Sequence, residues 1–124
     1  MKKQLLLMFF LLGSALADAT TYGPYPINQE VDKPSGYSKV VCFSVPEYIT
    51  ASVILVNVDT QELISLYTSS SNTPMWYFYI PNGTYEIVSL STSNAYIKIN
   101  GFSYEVGDQV TFLISGSIIA YPEE

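Results

Sequence analysis

Few residues of this sequence are suited to catalysis. The 124-residue chain contains no His and no Arg, and a Ser or Cys nucleophile normally needs a positioned base such as His. Two carboxylates could in principle hydrolyse a glycosidic bond, for instance Glu86 with Glu105 or Glu62, but nothing in their spacing places two of them in one cleft. We therefore expect that the protein is not an enzyme.

Few residues of this sequence are placed to bind a metal ion or a cofactor. Asp32, Asp59 and Asp108 could each offer a carboxylate to calcium from a loop, but no Asp-x-Asp-x-Asp spacing groups them. Their places in predicted turns explain these residues without a ligand. We expect no metal site and no cofactor.

Aromatic side chains offer the best chemistry for binding. Alternation along the predicted strand Met75–Ile80 places Tyr77 and Tyr79 on one face and Trp76 and Phe78 on the other. We expect Trp76 and Phe78 to face the core and the two tyrosines to be partly exposed, because a phenol tolerates a wet rim. The alternative is that the strand is central and that another layer covers the tyrosines.

The predicted binding residues are Tyr77, Tyr79 and Tyr96, of which Tyr96 comes from the polar face of a predicted hairpin. Flat rings with a polar edge stack on sugars and pack against protein partners at low entropic cost. These three tyrosines are therefore the residues on which we base the binding hypothesis.

The elements that must position these residues are β-strands separated by turns. Pro81–Thr84 forms a corner between two runs rich in aromatic and β-branched residues. Ala51–Val56 is apolar on both faces, which predicts a central strand. Asp59–Tyr67 is ambiguous, because Asp59 with Glu62 matches a helix capping box, whereas a turn followed by a strand fits its β neighbours. We favour the strand, since so short a helix is marginal alone.

The clearest local signal is the Asn100–Gly101 pair, which predicts a two-residue hairpin turn. The register of this hairpin assigns each side chain to one of two faces. The predicted pairs are Ile99 with Phe102, Lys98 with Ser103, Ile97 with Tyr104 and Tyr96 with Glu105. The apolar face would hold Ala95, Ile97, Ile99, Phe102, Tyr104 and Val106, and the polar face Tyr96, Lys98, Ser103 and Glu105.

Short strands with hardly any helix indicate an all-β fold. We predict an antiparallel sandwich of seven or eight strands, because strands at this spacing with turn signals between them are typical of sandwiches and small barrels. A chain of this length can bury a core without a metal or a disulfide.

Residues 1–17 match a secretory signal peptide. Met1–Lys3 is basic, Leu5–Leu12 is an apolar run too short to span a bilayer, and Ala15–Ala17 is an Ala-x-Ala cleavage pattern. The predicted organisation is a signal peptide at 1–17, an extended Pro- and Tyr-rich leader at 18–37 and a single β-sandwich domain at 38–124. We expect the mature protein to be secreted, periplasmic or at the cell surface, and not to span the membrane.

The charge balance excludes nucleic acid as a partner. Beyond residue 17 the only bases are Lys33, Lys39 and Lys98, against eleven acidic residues in the chain, so no basic patch is available for phosphate backbones. Cys42 is the only cysteine, so no internal disulfide is possible. We expect Cys42 to be a buried small apolar residue, and the alternative is an intermolecular bridge.

Two segments resemble a known family of secreted β domains. The runs Ala51–Leu63, with Asn-Val-Asp-Thr-Gln-Glu, and Trp76–Ile87, with Pro-Asn-Gly-Thr-Tyr, are similar to the motifs of carboxypeptidase-regulatory-like, prealbumin-type domains, with Gln61 in place of the usual turn Gly. The chain is also similar to small secreted β domains of unknown function common in Bacteroidetes. The resemblance implies an immunoglobulin-like or prealbumin-like sandwich and no catalytic residue.

Two functions from different classes fit this sequence. The one we favour is a secreted non-catalytic binding or adhesion module for a protein or glycan at the cell surface. The alternative is a structural or assembly subunit of a surface structure, whose leader or exposed edge pairs with another chain by strand addition. Asn82, in Asn-Gly-Thr, would become an N-glycosylation acceptor only in a eukaryotic secretory route, and this question stays open.

Overall fold

The computed structural model describes residues 21–45, 50–68, 75–92 and 95–122. The predicted signal peptide and residues 18–20 of the predicted leader lie outside these ranges. Within them the chain forms ten β-strands: β1 (Tyr22–Pro26), β2 (Tyr37–Ser44), β3 (Ala51–Asn57), β4 (Leu63–Tyr67), β5 (Trp76–Pro81), β6 (Gly83–Thr92), β7 (Ala95–Ile99), β8 (Phe102–Ser103), β9 (Gln109–Phe112) and β10 (Ser115–Pro122).

Two sheets share these strands and pack as a sandwich. One sheet has six strands in the order β1-β5-β2-β10-β7-β8, and the other has four in the order β4-β3-β6-β9. The predicted all-β sandwich is confirmed, and so is the central position of β3, which lies between β4 and β6. The predicted number of strands was too low, because the Pro- and Gly-rich leader lacks the alternation of apolar and polar residues that would predict β1.

One pairing corrects the expectation of a purely antiparallel sandwich. Strands β2 and β10 run parallel, with Lys39 opposite Ser115 and Ser44 opposite Ala120. Local turn signals fix the direction only of strands that follow each other closely, and these two are far apart in the chain. Every other strand pair in the described ranges is antiparallel.

The core lies between the inward faces of the two sheets. Val40 and Cys42 of β2 are fully buried, and Phe78 and Ile80 of β5 lie beside them, with Trp76 packed against the same cluster. Burying one such side chain contributes roughly 1.5 to 3 kcal/mol. The assignment of Trp76 and Phe78 to the core face is therefore confirmed, and so is the prediction that Cys42 is a buried small residue.

The ambiguous segment Asp59–Tyr67 is a turn followed by a strand, as favoured from the sequence. Strand β4 pairs with β3, and Asn57 organises the turn between them. The Asn57 side-chain oxygen accepts hydrogen bonds from the backbone N–H groups of Asp59 (2.8 Å) and Thr60 (3.0 Å). Gln61 has a φ of 67°, which is the left-handed conformation that glycine adopts at no cost.

The corner after β5 carries the chain from the six-stranded to the four-stranded sheet. Its central residue, Asn82, connects three segments, because its backbone N–H donates to the Gly36 oxygen at 2.9 Å and its side-chain oxygen accepts from the Ile114 N–H at 3.1 Å and from the Ser38 hydroxyl. The Tyr85 hydroxyl donates to the Pro81 oxygen at 2.6 Å. These bonds hold β5 and β6 in position relative to each other.

The predicted Asn100–Gly101 hairpin forms with the expected register at its turn, and φ is positive at both turn residues, 52° and 86°. Strand β8 ends after two residues, so the predicted pairs of Tyr104 and Glu105 do not form. Phe102 and Val106 are 67% and 58% exposed, so their assignment to a buried face is wrong. The reason is that the chain leaves the sheet edge after Ser103 and crosses to β9.

Candidate binding surfaces

The outer face of the six-stranded sheet is rich in tyrosine. Its side chains point away from the core because they alternate with the buried residues of each strand, and the strand register aligns them in rows. From β1 to β7 they include Tyr22, Tyr25, Tyr77, Tyr79, Lys39, Val41, Phe43, Ile119, Tyr121, Tyr96 and Lys98. We call this surface the tyrosine face.

One half of the tyrosine face is covered by the leader. Tyr77 and Tyr79 are only 1% and 4% exposed. The Tyr77 hydroxyl donates to the Gln29 oxygen at 2.6 Å and accepts from the Val31 N–H at 3.2 Å, and the Tyr79 hydroxyl donates to the Val31 oxygen. The expectation that these tyrosines are partly exposed is therefore wrong, because residues 29–31 form the additional layer.

Strand β1 and its aromatic residues anchor this cover. Strand β1 pairs with β5, and the Tyr25 ring lies 5.6 Å from the Tyr77 ring and 6.0 Å from the Tyr79 ring. Lys39 places its Nζ 4.4 Å from the centre of the Tyr77 ring, within range of a cation–π interaction. Burial raises the pKa of Tyr79, and the adjacent Tyr77 hydroxyl adds to this effect. The leader thus has more regular structure than the sequence suggested.

The other half of the tyrosine face is open. Tyr96 is 42% exposed, and its ring stacks on that of Tyr121 with the centres 5.3 Å apart and the planes 21° from parallel. Lys98 Nζ lies 5.7 Å from the Tyr121 ring, and the half-buried Ile119 and Phe43 lie with Lys98 in the next row of the sheet. This open half is a flat apolar surface that also carries the ammonium group of Lys98.

The three predicted binding residues do not form one site. Tyr96 belongs to β7 and Tyr77 and Tyr79 to β5, and β2 and β10 lie between these strands. Three strand spacings separate them by roughly 14 Å. Tyr121, which the sequence did not single out, is the ring that actually contacts Tyr96. Its alternation with the buried Ala120 and Ile118 was the available signal.

A second concave surface lies at one end of the sandwich, with a volume of about 490 Å³. Trp76 is half-buried here, and its ring centre is 5.4 Å from that of Tyr67 at an edge-on angle of 87°. Its Nε1 donates a hydrogen bond to the backbone carbonyl oxygen of Tyr67 at 2.8 Å. The described lining residues are Thr50, Ala51, Ser52, Tyr67, Thr68, Trp76, Ser91 and Thr92. We call this surface the end cleft.

In the part of the chain that the structure describes, no group of three or more Cys, Asp or Glu side chains is placed to hold a metal ion. The described lining of the end cleft contains no carboxylate. In those same described ranges, no helix is long and apolar enough to cross a membrane.

Comparison with known proteins leaves both surfaces without a precedent. No protein-family model, no curated protein and no solved structure matches this chain.

Proposed function

We propose that the mature chain is a secreted or surface-exposed, non-catalytic binding module that holds a protein partner on the open half of its tyrosine face. The observation that carries this proposal is the covered half of the same face. There, a polypeptide segment lies on the tyrosine rings, and its backbone oxygens accept hydrogen bonds from Tyr77 and Tyr79. This intramolecular contact supports the proposal that the open half of the same face also holds a polypeptide.

The open half has the residue types that protein interfaces use. Tyrosine is enriched in interface cores because its rigid ring brings a large contact area with one polar group. Tyr96 and Tyr121 provide two such rings side by side, and Ile119 and Phe43 extend the apolar area towards the centre of the sheet. Lys98 offers an ammonium group for a partner's carboxylate.

The sequence pattern of residues 1–17 supports export of this module. A basic start, a short apolar run and an Ala-x-Ala site direct a chain into the secretory route. A protein in that location can meet partners on the cell surface. Amino-terminal sequencing of the protein secreted by its source cell should give a start at or near Asp18.

Beads coated with the mature protein test the proposal on the surface of the source cell. The double variant Tyr96→Ala, Tyr121→Ala should lower bead adhesion at least about tenfold, since two central rings are lost. Phe102→Ala is the matched control, because Phe102 is an exposed aromatic residue outside the tyrosine face, and it should adhere like the wild type. Protease treatment of the cells should remove the adhesion that the double variant lacks. Full adhesion by the double variant, or wild-type adhesion that survives protease treatment undiminished, would contradict the proposal.

The alternative function, assembly by strand addition, makes a different demand on the fold. Strand β1 already pairs with β5 of its own chain, so donating the leader to another molecule requires β1 to leave that edge. Light scattering over a concentration series separates the two functions. Oligomers that grow with concentration and vanish when the leader is trimmed would favour assembly, whereas a monomer favours the binding module.

A further inference from the structure

The end cleft combines two aromatic rings with a wall of hydroxyl groups. Five of its described lining residues are Ser or Thr, and Tyr67 adds a sixth hydroxyl. A hydroxyl both donates and accepts hydrogen bonds, so such a wall suits a ligand whose own groups do both. Trp76 and Tyr67 provide the apolar surface beside it.

The hydroxyls of the cleft differ in whether they already have partners. Thr68 Oγ1 accepts from the Ala51 N–H at 3.0 Å and from the Ser44 hydroxyl at 2.9 Å, and Thr92 Oγ1 donates to the Thr50 oxygen at 3.3 Å. The side-chain hydroxyls of Ser52 and Ser91, in contrast, have no hydrogen-bond partner among the described residues.

Strand register places these two free hydroxyls next to each other. Ser52 of β3 lies directly opposite Ser91 of β6, and on its other side it lies opposite Tyr67 of β4. Residues opposite each other in an antiparallel pair have Cα atoms only about 4.5 to 5.5 Å apart. The three hydroxyl-bearing side chains therefore form one row across three strands at the cleft.

The described lining of the cleft narrows the class of ligand. No acidic or basic side chain is among these described residues, so they offer an ionised ligand no counter-charge. A purely apolar ligand would leave the hydroxyl row without partners. A sugar ring meets both conditions, because its hydroxyls donate and accept and its C–H faces pack on aromatic rings.

We propose that the end cleft binds a neutral sugar, with Ser52 and Ser91 exchanging hydrogen bonds with its hydroxyls and the Trp76–Tyr67 pair packing on its apolar face. This site is separate from the one in the proposed function, since it lies at the end of the sandwich and uses none of the residues of the tyrosine face. The module would then hold a protein at one surface and a glycan at the other.

The intrinsic fluorescence of the protein reports on this cleft directly, because Trp76 is the only Trp of the chain and lines the cleft. The mature protein is titrated with glucose, galactose, mannose, N-acetylglucosamine, cellobiose and lactose, and with glucuronic acid as the ionised comparison. At least one neutral sugar should give a saturable change in Trp emission. Glucuronic acid should bind at least about tenfold more weakly, because an ionised carboxylate is costly to desolvate without a counter-charge.

Single-atom variants connect such a response to the hydroxyl row. Ser52→Ala and Ser91→Ala should each weaken sugar binding about threefold to tenfold, the loss expected for one hydrogen bond. Ser103→Ala, a change of the same chemistry at an exposed position on β8, should leave it unchanged. Circular dichroism confirms that each variant is folded.

Three results would overturn the sugar site: no saturable change with any neutral sugar, unchanged affinity in both Ser52→Ala and Ser91→Ala, or tighter binding of glucuronic acid. The double variant Tyr96→Ala, Tyr121→Ala should keep the sugar response. Loss of bead adhesion with a retained sugar response therefore supports both sites as independent, and failure of either test leaves the other standing.

Discussion

Three tyrosines of the described ranges are buried, and the hydroxyl of each has a hydrogen-bond partner. The hydroxyls of Tyr77, Tyr79 and Tyr85 all donate to backbone oxygens, and all three residues are buried. A buried hydroxyl with a partner loses little, whereas one without a partner costs about 1 to 3 kcal/mol. The expectation that phenols stay at a wet rim failed because the partners of Tyr77 and Tyr79 come from residues almost fifty positions away, which no local pattern shows.

Because Tyr85 is buried, we expect the free energy of unfolding to fall at alkaline pH. Burial raises the pKa of Tyr85 from 10.0 to about 12. As the pH rises, the unfolded chain therefore loses the Tyr85 proton before the folded protein does. The contribution of Tyr85 to the free energy of unfolding is complete below pH 10, falls between pH 10 and 12, and is lost above pH 12. Two pKa units correspond to at most about 2 to 3 kcal/mol.

Unfolding by urea at several pH values tests this with the variant Tyr85→Phe. At pH 8 the variant should be less stable than the wild type by about 0.5 to 1.5 kcal/mol, because its bond to the Pro81 oxygen is lost. Between pH 10 and 12 the stability of the wild type should fall more steeply than that of the variant. Parallel curves over this interval would show that Tyr85 titrates normally.

The hairpin turn makes a prediction about a single glycine. Gly101 has a φ of 86°, and a side chain there would meet no atom within 4 Å, so only the backbone conformation restricts the residue type. Gly101→Val should lower the free energy of unfolding by about 1 kcal/mol or more, because β-branched residues avoid positive φ. Gly101→Asn is the control, since Asn tolerates this conformation, and it should be clearly less harmful in thermal unfolding. Equal effects of Val and Asn would contradict the turn geometry.

At the scale of elements, the leader and the covered half of the tyrosine face stabilise each other. The variants Tyr77→Phe and Tyr79→Phe keep both rings but remove the hydroxyls that bond to residues 29–31. Each should lower the free energy of unfolding by about 0.5 to 1.5 kcal/mol and speed hydrogen exchange at the Val31 amide. Tyr96→Phe should change stability by less than about 0.5 kcal/mol, because Tyr96 is exposed. Unchanged exchange at Val31 in both variants would show that the leader is held by β1 alone.

Local patterns predicted most elements of this fold but not the relations between distant ones. Alternation located the strands around Val53 and Phe78, and the Asn100–Gly101 pair fixed a register, since both signals act over a few residues. The strand β1 was missed because Gly23 and Pro24 interrupt any pattern. The end cleft was missed for another reason, since Tyr67 and Trp76 meet only through the packing of two sheets.

At the scale of the whole molecule, Cys42 is a probe of global opening. It is fully buried on β2, which lies between β5 and β10, and burial raises the pKa of its thiol. A thiol-specific reagent should therefore modify the native protein at least about a thousandfold more slowly than the unfolded chain. In Val45→Cys the added thiol is exposed at the end of the same strand and should react at once, which gives a fast and a slow phase in one sample. A single fast phase with both thiols would mean that the six-stranded sheet opens readily.

The parallel pair of β2 and β10 has a consequence for how the chain acquires its structure. Strand β10 is the last strand of the described chain, yet it lies in the middle of the six-stranded sheet and joins the trio β1-β5-β2 to the pair β7-β8. Until residues 115–122 are available, that sheet consists of two separate ribbons, and the contacts that unite them span most of the sequence. Pairing over such a separation closes a long loop and folds slowly. A growing chain therefore cannot complete the six-stranded sheet until residues 115–122 have been synthesised, whereas the four-stranded sheet, whose strands all precede β10, can pair earlier.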